Sequence, residues 1–222
     1  RIYSKDLCIP NLAVIDHWVN YPERFTRQTH IVLPDALIVS DDPAFNLAQT
    51  TFPHTPIYLL PNIWLDTEIA QVSKLRTSNI SYPAQQILYL CEPIRERWRS
   101  SPILPEYQAL DYFLSNISTL SRLGIVANNP TLYVRPHPSE DPQKYSSYIQ
   151  VTPSNRQSIC LKISTDDSLP LALAQADLCV GCNTQALVLS LKCGVPTLCA
   201  LPPFAPPLVL PYHDIAQIRN II

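Results

Sequence analysis

Short apolar runs punctuate this 222-residue chain, and longer stretches with helical spacing separate them. Leu12–Ile15, Ala36–Val39 and Ile57–Leu60 each read as a strand. Their apolar character is continuous rather than alternating, the pattern expected when both faces of a parallel sheet are buried. Pro43 opens a helix to about Thr51, because proline suits the first helical turn. Asp66 to Lys74 has helical spacing, and the stretch after it is rich in Ser, Asn, Pro and Gln.

A second series begins with a strand at Ile87–Cys91. A helix follows from Pro105 to Leu123, stopped by Gly124, with Leu110, Phe113, Leu114, Ile117 and Leu120 on one stripe. Thr131–Val134 is the next strand. Ile159, Leu161 and Ile163 alternate with Cys160 and Lys162 in another. Ser168 caps a short helix through Ala176, and Leu178–Val180 is a strand ending at Gly181. Asn183 or Thr184 caps a helix that Gly194 stops, and Pro196–Leu201 is a short final strand. Strand and helix alternating through short links predict an α/β fold, a doubly wound parallel sheet. The polar break places residues 1–75 in a partial first Rossmann-like domain, 76–85 in a linker and 86–222 in a second such domain.

In such sheets ligands sit beyond the carboxyl ends of the strands. Asp16, His17, Asp41, Glu92, Arg135, His137 and Asn183 all follow strands. Arg135-Pro136-His137-Pro138 is the strongest of these positions. Two prolines stiffen the backbone around one imidazole, Arg135 offers a planar fork that matches phosphate oxygens, and His137 can donate to a phosphate or carry a proton. Gly181, Asn183 and Thr184 form a turn into a helix, whose free N–H groups and dipole suit an anion. Asp16 and His17, followed by Trp18, Tyr21 and Arg24, can supply a base. Glu92 can be catalytic, or can pair with Arg95 or Arg97.

Composition narrows the classes. Only three glycines are present, so the G-x-G-x-x-G fingerprint and the P-loop are both absent. A net charge of −2 with 15% charged residues shows no basic patch, which argues against nucleic acid as the main partner. No apolar run approaches the ~20 residues of a membrane span, leaving peripheral membrane contact as the conceivable kind. Seven cysteines, most within apolar runs, read as buried reduced thiols of a cytoplasmic protein. Cys179-Val-Gly-Cys182 lacks the companion pair that a zinc site needs.

The run from Ala176 to Pro196, with its Gly-x-x-Thr turn, its helix and its closing Gly-Val-Pro, resembles an α/β unit of GT-B glycosyltransferases. Joined to the His137-Pro138 pair, it is similar to the bacterial surface-polysaccharide group: HP-motif sialyl- and polysialyltransferases, Kdo transferases and CDP-glycerol glycerophosphotransferases. The likeness runs from about Leu88 onward and more loosely over the first 65 residues. Two departures stand out. Asn183 occupies a position where relatives often carry an acid, and the acidic-acidic-Gly motif of the sialyltransferases is missing. The resemblance implies a GT-B-like pair of Rossmann-like domains, the first lacking its opening strands. It implies a metal-independent transferase with no cofactor, the nucleotide-sugar being a substrate of CMP or CDP type and the acceptor a glycan or lipid-linked glycan. His137 and Thr184 would contact the donor phosphate. Two alternatives stay open: an epimerase of nucleotide sugars with the same fold, and a non-catalytic binding module.

Overall fold

The computed structural model describes residues 7–94, 97–98, 101–141, 143–151, 159–164 and 168–222. The chain divides into two compact units, residues 1–66 with Val209–Pro211, and residues 67–208 with 212–222.

The second unit is a six-stranded sheet. In chain order its strands are β6 (Ala84–Leu90), β7 (Val126–Arg135), β8 (Cys160–Ile163), β9 (Leu178–Gly181), β10 (Thr197–Cys199) and β11 (Ala216–Gln217). They lie in the order β11-β10-β9-β6-β7-β8, and every pairing is parallel. The first strand of this series therefore lies in the middle. The chain runs outward through β7 and β8, then returns to the other side of β6 for β9, β10 and β11. This is the order of a Rossmann-like doubly wound sheet, with its topological switch between β6 and β9. The strand at 197–199 is not the last: β11, only two residues long, adds to its far edge, followed by a short helix at Ile218–Ile221.

Helix α4 (Pro105–Arg122) lays its stripe on this sheet. Leu110, Phe113, Leu114, Ile117 and Leu120 are all buried against Ile87, Tyr89, Leu132 and Val134. Gly124 ends the helix with φ +72, a conformation that costs residues other than glycine free energy. Ser168 Oγ accepts from Leu171 N–H at the start of α6 (Leu169–Gln175). Thr184 does the same for Ala186 at α7 (Gln185–Lys192), so of the two candidate caps the threonine is the one used.

The stretch expected as a linker is tied into the second unit. Arg76 donates to the carbonyls of Leu173 and Ala176 at the end of α6 (2.7 and 3.3 Å). The buried carboxylate of Asp177 accepts from the backbone N–H groups of Ser81, Gln85 and Gln86 at 2.7–3.0 Å. Helix α3 (Ile63–Leu75) begins a turn before the expected Asp66, where Asn62 Oδ1 accepts from Leu65 N–H. The division between units falls within that first turn.

The first unit holds a three-stranded parallel sheet in the order β1-β4-β5, from β1 (Leu12–Val14), β4 (Ala36–Val39) and β5 (Ile57–Leu59). A two-stranded antiparallel pair, β2 (Thr26–Arg27) and β3 (His30–Ile31), lies between the first two in sequence. One sheet face, carrying Ile15, Leu37 and Val39, packs on Tyr21 and Phe25 of α1 (Tyr21–Phe25), Ala44 and Ala48 of α2 (Asp42–Thr51), and Phe52. The other face carries Leu12, Val14 and Tyr58, all exposed. The expectation of burial on both faces therefore fails here. Right-handed crossovers through a strand series that moves in one direction place every helix on the same side.

Candidate functional site at the carboxyl edge of the sheet

Because β6, β7 and β9 are parallel neighbours, Glu92, the Arg135–Pro138 loop and the Gly181–Thr184 turn all leave the sheet at one edge. Strand spacing puts the β7 and β9 ends about 10 Å apart, with the β6 end between them. Glu92 occupies that middle position. Of the two arginines expected as its partners, Arg95 lies outside the described residues and Arg97 is exposed and makes no ion pair with it.

Glu92 Oε1 accepts the backbone N–H of Asn183 at 3.1 Å. The amide that the sequence offers to a ligand anion is thus held by a carboxylate of the chain. Gly181 makes the approach possible: a Cβ there would lie 3.0 Å from the Leu90 carbonyl oxygen and 3.3 Å from Leu187 Cγ. Burial pushes the Glu92 carboxyl up from 4.5 to about 7, against the Asn183 N–H, which favours the ionised form, and with help from Glu140. A carboxyl tuned to that range can give or take a proton at neutral pH.

His137 is partly buried. Its Nδ1 accepts the backbone N–H of Ser139 at 3.2 Å and lies 2.8 Å from the Ser139 hydroxyl. A backbone N–H can only donate, so the neutral imidazole carries its proton on Nε2 and presents a donor. Arg135 NH1 lies 3.5 Å from Ser164 Oγ at the end of β8. Thr184 Oγ1 accepts from its own helix, yet its hydroxyl hydrogen can still be donated.

A network that the sequence reading missed braces the His137 loop. Glu140 Oε2 accepts from His137 N–H and from the Tyr145 hydroxyl, both at 3.3 Å. Its other oxygen pairs with Lys144, which also pairs with Glu106 on the first turn of α4. Glu106 is 7% exposed, and its Oε2 has no hydrogen-bond partner. The i,i+4 spacing of Glu140 and Lys144 is the one signal in the sequence that points to it.

In the first unit, Asp16 and His17 follow β1 and Asp41 follows β4. Asp16 is 79% exposed and pairs with Arg24 at 3.4 Å. His17 Nδ1 accepts from Trp18 N–H at 3.0 Å, so its neutral ring also carries the proton on Nε2. Burial first, and Arg24 second, lower its pKa against the pull of Asp16. With its lone pair engaged, His17 is arranged to donate, and Asp16 has the acceptor oxygens that a base needs. Asp41 is structural: it caps α2 through Ala44 N–H and accepts the Trp18 indole N–H.

Cys91, Cys179, Cys182 and Cys199 are buried, while Cys8 and Cys160 are exposed; all seven are free thiols. Burial raises Cys179 to about 12 and holds Cys182 well above the ordinary thiol value, so neither member of the C-x-x-C pair is a ready nucleophile. Among the described residues, no group of three or more His, Cys, Asp or Glu side chains is placed to hold a metal ion. No helix among them is long and apolar enough to cross a membrane. Comparison with protein-family models, curated proteins and solved structures gives no match.

Proposed function

We propose that the second unit binds a nucleotide-activated sugar, of CMP or CDP type, at the carboxyl edge of its sheet, and that the chain transfers that sugar to a surface-glycan acceptor in the manner of a GT-B glycosyltransferase. The observation that carries this reading is the switch between β6 and β9. There a proton-active carboxyl, a helix start and a proline-braced imidazole leave neighbouring strands together. Departure of a nucleotide builds negative charge on phosphate oxygens. The Nε2–H of His137, the Arg135 guanidinium and the Thr184 hydroxyl are the donors whose chemistry suits that charge. Glu92 is the group suited to hand a proton to the departing phosphate or to take one from an attacking hydroxyl. No step needs a cofactor, because side chains supply the charge.

The test is turnover of CMP- and CDP-activated sugars with glycan acceptors, read as nucleotide release. His137→Ala should lose about a hundredfold or more, the scale of one lost donor to a developing oxyanion. Equal turnover by the variant would reject the role of the loop. A wild-type chain that neither binds nor turns over any such donor would reject the function.

A further inference from the structure

Prolines on both sides leave His137 as the one residue of Pro136-His137-Pro138 with a backbone N–H. An N–H held away from water needs an acceptor. Glu140 supplies it: its Oε2 accepts from His137 N–H at 3.3 Å, and its own N–H donates to the His137 carbonyl at 2.9 Å. One residue therefore ties both backbone groups of the histidine. Ser139 N–H turns inward as well, to Nδ1 of the imidazole at 3.2 Å. The N–H groups of residues 136–140 are thus all spent within the loop, and none is left over for an anion. Nε2–H is the donor that His137 can still offer, and no described residue takes it.

Glu140 itself has little freedom. Its side chain is 6% exposed, Lys144 pairs with Oε1, and the Tyr145 hydroxyl donates to Oε2 beside His137 N–H. Lys144 is pinned in turn by Glu106 on α4, the helix that packs on β6 and β7. The turn that carries the imidazole is therefore referenced to the sheet through side chains as well as through its own backbone. Each link is a charged or hydrogen-bonded group in a place shielded from water, where losing one partner is costly to the other.

We propose that Glu140 is a positioning residue: it holds the 136–140 turn so that Ser139 N–H fills Nδ1 and the loop meets its ligand through Nε2–H of His137. This inference rests on the reading of the edge as a phosphate-binding site with His137 as a donor. In this role Glu140 touches no ligand. It acts through the imidazole, so its effect on turnover exists only while the imidazole is there. Moving a reacting group by about 1 Å can cost on the order of a hundredfold in rate, which sets the size of the effect.

A double-mutant cycle on the full chain tests it, read as release of nucleotide from CMP- and CDP-activated sugars. Glu140→Ala should lose about ten- to a hundredfold in kcat, and less than about twofold more where His137 is already Ala. Equal losses in the two backgrounds are the behaviour of a brace that only holds the fold, and they overturn the proposal, as does full activity of Glu140→Ala. Glu140→Gln, which keeps an acceptor and loses the charge, enters the same cycle where the Ala variant does not fold. A second measurement needs no ligand. Nitrogen NMR of the isotopically labelled chain, above the range where imidazole titrates, reads which ring nitrogen carries the proton and whether Nδ1 is coupled to Ser139 N across the hydrogen bond; His137→Ala identifies the signals. Wild type should show the proton on Nε2 together with the coupling, and the folded Glu140 variant should lose the coupling and share the proton between both nitrogens. The same spectrum from both proteins, or no coupling in wild type, overturns the positioning role. Should wild type turn over no donor, the phosphate reading fails, and the NMR comparison alone decides the role of Glu140.

Discussion

Replacing Glu92 by Gln tests the tuned carboxyl without any ligand. The amide oxygen of Gln can still accept the Asn183 N–H, so the loop geometry is kept and only the charge is removed. In the folded chain the Glu92 carboxyl titrates at about 7, against 4.5 for an unperturbed one, and burial is the main cause. A raised carboxyl pKa means that the folded state resists ionisation. Below pH 4.5 both folded and unfolded chains hold the proton and the group makes no difference. As pH rises from 4.5 to 7 the unfolded chain releases its proton first, and the stability of wild type falls relative to the variant. Above 7 both states are ionised and the difference is constant. At 1.36 kcal/mol per pKa unit, the full effect is about 3 kcal/mol, an upper figure because the residue is only partly buried. Against a typical 5–15 kcal/mol of total stability this is a large term. Urea denaturation of both proteins at pH 5, 6, 7 and 8 measures it. The gap in favour of Glu92→Gln should widen steadily and level off above 7, with unchanged denaturant slopes. A gap that is the same at pH 5 and pH 8 would refute the claim that burial tunes this group.

Two further substitutions probe what holds the edge in place. Asp177→Ala removes the buried carboxylate that accepts from the N–H groups of Ser81, Gln85 and Gln86, and because Ser81 and Gln85 are exposed to water the loss should be about 1.5–3 kcal/mol by denaturation, the scale of hydrogen bonds to one charged group; a loss under about 0.5 kcal/mol would show that water replaces the carboxylate freely. Gly181→Ala puts a methyl group 3.0 Å from a strand carbonyl that has little room to yield, so thermal unfolding should report a loss of about 1–3 kcal/mol, and an unchanged Tm would mean that the β6–β9 contact is looser than its geometry.

Where a segment's apolar residues all face one partner, the sequence is sufficient. The stripe Leu110, Phe113, Leu114, Ile117 and Leu120 recurs every three or four positions, and α4 buries that whole stripe. The caps at Ser168 and Thr184 and the stop at Gly194 are local chemistry, settled within four residues. Periodicity is silent about the small elements. The β2–β3 pair has two residues per strand, and β11 has two, each too short to show a period. Helix α5 (Gln143–Val151) interleaves its tyrosines with serine and glutamine, so no apolar stripe announces it, and its inner side is shown by the burial of Tyr145 and the packing of Tyr148 and Ile149 on the core. The strands of the first unit mislead for a different reason. An apolar run states what a strand can bury, and the crossovers decide how much of it a helix covers.

The candidate site divides along the same line. Strand ends are legible, and parallel strands must deliver their ends to one edge, so the co-location of Glu92, Arg135, His137, Asn183 and Thr184 follows from the sequence once the sheet is recognised. Their pairings do not follow, because each depends on residues far apart in the chain. Asn183 N–H finds Glu92 from 91 positions away, and Lys144 finds Glu106 from 38. These long-range contacts change the chemistry rather than merely decorating it. The helix start, read alone, is an open anion cradle; with Glu92 on its amide it is a cradle that already holds a negative charge. The imidazole, read alone, can be acid or base; with Ser139 N–H on Nδ1 it is a donor from Nε2. Glu140 binds the backbone of His137 and is itself neutralised by a lysine anchored on α4, so the loop is set by a buried charge chain as well as by its prolines. Proline restricts how the loop can bend, and the carboxylate selects which of the remaining conformations presents the ring to the edge.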